Sequence, residues 1–139
     1  MGVTIGTRRC GISMGYGSFF RFRVAVASSI NSVVGWVYES YVKESIKSLY
    51  RNDTCVKGLA KKMSETFTKF SVDEDIVDFL FQPDCDGRIS YTTARKIRDL
   101  CKISKSDETF GYDRDRRSMS EMAEIFNDGY KHRCQVKWC

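Results

Sequence analysis

Along the first sixteen residues, apolar side chains alternate with small or polar ones. Val3 and Ile5 share one face of a strand expected over residues 2–7, and Thr7-Arg8-Arg9 makes a turn. Ile12, Met14 and Tyr16 then alternate with Ser13 and Gly15, which predicts a second strand from Cys10 to Tyr16. The period changes after that. Phe19, Phe22, Val26, Ile30 and Val33 recur at three or four residues, so a helix is expected from about 19 to about 34. Ser18 stands at its N-cap position, after a bend in which Gly15 and Gly17 flank Tyr16. Gly35 is expected to interrupt the helix. From Trp36 to Tyr50, the residues Tyr38, Val42, Ile46 and Leu49 form an apolar stripe, either on a continued, kinked helix or on a second one.

Asn52-Asp53-Thr54 combines a helix stop with a cap signal. The next helix carries Val56, Leu59, Ala60, Met63 and Phe67 on one face and ends near Phe70. Ser71-Val72-Asp73-Glu74 reads as a capping box. The helix it opens holds Ile76, Val77, Phe79, Leu80 and Phe81, apolar on most sides, so it belongs at the centre of the core, and Pro83 ends it. Asp84 to Gly87 form a turn, and Ser90 caps a helix with Ala94, Ile97, Leu100 and Cys101 inward. Lys102 to Asp115 is a polar loop. Ser118 or Ser120 caps a last helix bearing Met119, Met122, Ala123, Ile125 and Phe126, with Gly129 able to stop it. Cys134, Val136 and Trp138 alternate with Gln135 and Lys137 in a final strand, expected to pair with residues 10–16. The fold class is therefore α+β: about five helices packed on a small antiparallel sheet made from the N-terminal hairpin and the C-terminal strand. Residues 1–139 are expected to form a single globular domain.

Composition supports a packed core, with 42% hydrophobic and 29% charged residues in 139. The formal net charge is +5 and the pI near 8.9, a mild basic bias that suits an anionic partner. The opening Met-Gly-Val-Thr-Ile-Gly lacks the charged flank and apolar run of a secretory leader. No apolar run reaches the length of a membrane span, so a membrane partner is not expected. The six cysteines accordingly read as reduced thiols in a cytoplasmic setting.

Most chemical motifs fail on inspection. Gln82 to Ile89 imitates a calcium loop, with Asp84 and Asp86 on ligand positions. Its first position is Gln82 and its twelfth Thr93, where carboxylates are needed, so no metal is expected. The cysteines make no C-x-x-C pair. His132 is the single histidine, with Cys134 nearby and no orienting motif, so catalytic residues and cofactors are not expected. The dinucleotide fingerprint fails at Phe20, where the third glycine should stand. What remains is electrostatic. A helix start after a two-glycine bend offers amides to an anion. Tyr16, Gly17, Ser18 and Arg21 would supply amide, hydroxyl and guanidinium contacts, with Arg23 an alternative fork. Arg114, Arg116 and Arg117 would form a mobile basic lid, with Tyr112 stacking on a base. The opposing reading is an ordinary turn and a solvated face, which the alternating Asp113 and Asp115 favour.

The segments ISMGYGSFFRFR and IVDFLFQPDCDGRISYTTARKI, a Gly-Tyr loop and a terminal strand closing on Trp138 together resemble a family of small uncharacterised proteins from Gram-positive bacteria and their phages and prophages. The resemblance spans most of the chain and implies a mobile-element setting, with no roles for individual residues. By association it implies a protein that neutralises a host factor. The leading expectation is a non-enzymatic, phage-encoded sponge that captures an anionic ligand such as a nucleotide immune signal. The alternative is an anti-CRISPR-like protein–protein inhibitor of a host defence protein complex, with the 13% aromatic residues as anchors. A nucleotide-cleaving enzyme ranks behind both, and an oligomer stays open.

Overall fold

A computed structural model describes residues 2–48, 55–104, 108–111 and 116–139. In chain order the elements are β1 (Gly2–Gly6), β2 (Gly11–Gly15), α1 (Tyr16–Ile30), α2 (Ser32–Ser48), α3 (Cys55–Lys69), α4 (Glu74–Phe81), β3 (Gly87–Ile89), α5 (Tyr91–Ile103), β4 (Thr109–Phe110), β5 (Arg117–Ser118), α6 (Met119–Lys131) and β6 (Val136–Trp138). The architecture is α+β, as expected, with six helices among the described residues and a four-stranded antiparallel sheet. No helix among those residues is long and apolar enough to cross a membrane.

The sheet order is β2-β1-β6-β3. The two chain ends do meet, but β6 pairs with β1, with Ile5 opposite Trp138, and not with residues 10–16. Burial explains the difference. Val3 and Ile5 are both covered, whereas Met14 is the only fully covered side chain of β2, so β1 takes the interior position. Thr4 and Cys139 exchange both backbone hydrogen bonds, at 2.9 and 3.1 Å. β3 was not expected. Its outer edge is covered by the Gln82 side chain, which accepts from the Arg88 amide and donates to the Arg88 carbonyl, each at 2.8 Å.

Several boundaries differ from the sequence pattern. α1 starts at Tyr16, so Ser18 lies inside its first turn, and Gly15 is the N-cap. The break comes at Asn31, not Gly35. The Asn31 Oδ1 accepts from the Val33 amide at 2.9 Å and starts α2. Gly35 instead lies within α2, where an added Cβ would overlap Ser28 of α1. Asp73, not Ser71, caps α4, accepting from the Asp75 amide at 2.8 Å. Ser71 holds a φ of 49° in the turn before it. Ser90 caps α5 as expected, and Ser118 caps α6 with a full capping box to Glu121. Gly129 does not stop α6; it is buried in it, close beneath Val136. Ile46, assigned to the inner stripe, is 56% exposed. The cap signal at Asn52-Asp53-Thr54 and the inward assignment of Leu49 lie outside the described residues.

The core is aromatic. Phe22 stacks on Phe126 with centroids 5.7 Å apart, and Phe79 meets both Phe126 and Trp138 edge-on. α4 therefore reaches the centre through Phe79, as its apolar pattern requires. Trp138 donates its Nε1 proton to the Pro83 carbonyl at 2.9 Å. An added Cβ on Gly87 would overlap its indole ring, so the tight β3–β6 crossing needs glycine there.

Candidate functional site

Among the helices whose starts are described, α1 stands apart. The side-chain oxygens of Asp73, Ser90 and Ser118 accept from amides in the first turns of α4, α5 and α6. Gly15 has no side chain to do this, and no acidic residue stands in the first turn of α1. Its leading amides keep the positive end of the helix dipole without a side-chain acceptor. Beside this start lies a cavity of about 640 Å3, lined by Gly15, Gly17, Ser18, Arg21, Thr109, Gly111 and Arg116. Arg21 is exposed one helical turn after Ser18, and Arg116 is exposed just ahead of β5. No carboxylate lines the cavity among the described residues, and neither arginine has an ion-pair partner there. Gly111 holds a φ of 97°, a backbone angle suited to glycine, which turns the chain at the cavity wall. A second cavity of about 550 Å3 shares Arg21 and Thr109, but adds Glu39 and Glu108.

The structure thus brings Gly17, Ser18, Arg21 and Arg116 together. Thr109 and Gly111 join them; no local sequence signal marked Thr109, and Gly111 stood out only as part of the Gly-Tyr loop. Arg117 is placed elsewhere. Its Nε donates to the Ser13 carbonyl at 3.2 Å and its Nη1 lies 4.0 Å from Glu121, which ties β5 to the outer edge of β2. Tyr16 turns to the opposite side of α1, with its hydroxyl 3.5 Å from the Cys85 sulfur, a contact that raises its phenol pKa. Tyr112 and Arg114 lie outside the described residues.

Arg23, the alternative fork, is a core residue. Its side chain is 6% exposed and stacks over Phe19, with Cζ 4.4 Å from the ring centroid. Nη1 reaches the Leu80 carbonyl and Asp84 Oδ1, both at 3.4 Å. Burial pulls its pKa down, opposed by Tyr38 and Asp84. A sequence signal for this existed: position 23 follows Phe19 by four residues, on the face that carries Phe22 and Val26.

The remaining clusters are held internally. Asp84 of the calcium-like loop faces Arg23, and Asp86, not Gly87, takes the left-handed turn with φ 64°. Arg9 and His132 both approach Asp128, at 3.6 and 3.4 Å, while Thr7 donates to it at 2.6 Å. Arg9, in the turn after β1, and His132, at the end of α6, are therefore neighbours with an acid between them. His132 is exposed while Cys134 is buried, so they do not share a face. Burial pushes the Cys101 thiol up to about 12. The chain matches no family model, no curated protein and no solved structure.

Proposed function

We propose that this chain is a non-enzymatic binding protein that captures an anionic small molecule of the nucleotide class at the start of α1. One observation carries the reading: uncapped amides, Arg21 and Arg116 converge on a cavity of about 640 Å3 that no described carboxylate lines. Backbone amides at a helix start bind phosphate through directed N–H groups and the dipole. Guanidinium groups add charge-assisted, two-pronged bonds to the same oxygens. The volume falls in the roughly 300–1,000 Å3 of small-molecule sites. Tyr112 and Arg114, neighbours of Arg116 in sequence, are assigned stacking and further charge.

A phage-encoded antagonist that sequesters a nucleotide immune signal is the setting supported by the resemblance of ISMGYGSFFRFR and the central segment. The test is what the purified protein carries. Mass spectrometry of the small molecules released on denaturation should recover an intact nucleotide. Protein that carries none, and that hydrolyses or ignores every nucleotide offered, would contradict the reading.

A second reading, inhibition through a protein interface, is favoured by Val33 and Trp36. They stand one turn apart on α2, 46% and 56% exposed, with Lys62 over the Trp36 ring at 4.7 Å. Under that reading Trp36→Ala abolishes inhibition of the host effector and leaves nucleotide binding unchanged.

A further inference from the structure

On the other side of α1, a separate groove runs between α1, α2 and the end of α4. Its volume is about 420 Å3. Phe20, Val42, Ile46 and Phe81 form apolar walls, and Ile46 and Phe81 are 56% and 37% exposed. The floor is different in kind. Arg23 lines it with a side chain only 6% exposed, and its Nε and Nη2 are covered yet have no hydrogen-bond partner. Its remaining Nη1 contacts, to the Leu80 carbonyl and Asp84, are long at 3.4 Å. Tyr38 stands beside the guanidinium and opposes the fall in its pKa, while its hydroxyl donates at 2.8 Å to the same Leu80 carbonyl.

A buried guanidinium stays charged, and an incompletely paired one is costly in a core. The carboxylate nearest to it, Asp84, is 44% exposed on the loop after Pro83 and is free to swing to solvent. An incoming carboxylate that replaces it meets the guanidinium from the same side and takes Nη1, the atom that Asp84 now holds. Its apolar body then covers side chains that are otherwise wet.

We infer that this groove is a second binding site, for a small amphipathic molecule with an apolar body and a single carboxylate, which pairs with Arg23 in place of Asp84. It does not depend on the nucleotide site, since Arg21 and Arg116 take no part in it.

Three probes with one tail and different heads test this: octanoate, 1-octanol and octylammonium, titrated into the whole chain and followed by nuclear magnetic resonance shifts. Octanoate is expected to bind about tenfold more tightly than 1-octanol, the worth of one charge-assisted pair. Asp84→Asn should tighten octanoate binding by removing the competing carboxylate. Ile46→Glu, at a wall position that is 56% exposed, should abolish it, and Arg21→Ala should leave it unchanged. Equal binding of all three heads, tightest binding of octylammonium, no octanoate binding, or weaker octanoate binding in Asp84→Asn would each overturn the inference.

Discussion

Tyr38 shows how much one hydroxyl settles at the centre of the molecule. It is buried, it donates to the Leu80 carbonyl at 2.8 Å, and burial pushes its phenol up to about 12, with Arg23 opposing. The unfolded value is near 10.0, so the native state holds the proton more tightly. Its contribution to stability is fully present below pH 10 and is lost as the pH rises through about 12. Tyr38→Phe should cost about 1 kcal/mol in urea melts at neutral pH. It should also remove part of the alkaline decline that the parent chain shows across that window. Gly87 makes the opposite kind of demand, since its value lies in what it lacks. Gly87→Ala drives a methyl group into the Trp138 ring and should cost about 1–3 kcal/mol by the same melts. A neutral effect would mean that β3 does not press on the indole.

Among the elements, the caps divide what could be read from what could not. Ser90 announced α5, and Ser118, one of two candidates beside Ser120, announced α6, because a capping bond reaches only three residues along the chain. The same rule applied to Ser71 chose the wrong residue. Ser71 is committed to the left-handed turn that closes α3, and Asp73 does the capping. Asp73→Ala should therefore destabilise by about 1 kcal/mol, while Ser71→Gly should raise the melting temperature by relieving the positive φ. A hydrogen bond from Lys96, helped by the Asp75 amide, holds the Asp73 carboxyl below its ordinary value of 3.8. This contribution is present above that value and lost as the pH falls through the native one, so the acid sensitivity should diminish in Asp73→Ala. The hairpin and the first helix were legible from alternation and helical spacing. β3 and the β4–β5 pair were not. Their two or three residues carry no period, and the partner of β3 lies far off in sequence, Gly87 standing opposite Trp138. Gly15 gave no cap signal for α1 because an absent side chain leaves none.

At the scale of the whole molecule, a mixed-charge surface is sorted by folding into paired and unpaired cations. Lys96 bridges Asp73 and Asp75, Arg9 meets Asp128, and Arg23 goes inside. Arg21 and Arg116 are left facing one cavity with no described partner. The sequence marked both as candidates but could not place Arg116 beside α1, because that juxtaposition depends on β4 and β5 folding back over the helix. It did hold the signal that separates Arg21 from Arg23, since position 23 follows Phe19 by four residues and falls on the apolar face of α1 while position 21 does not. The most direct test is thermal unfolding against a panel of linear and cyclic nucleotides, with the Arg21→Ala/Arg116→Ala double variant alongside. At least one nucleotide should raise the melting temperature in proportion to the logarithm of its concentration. That rise should shrink with added salt and vanish in the double variant. A melting temperature that stays flat for every nucleotide, or a rise that survives loss of both arginines, would contradict the assignment of this cavity to an anion.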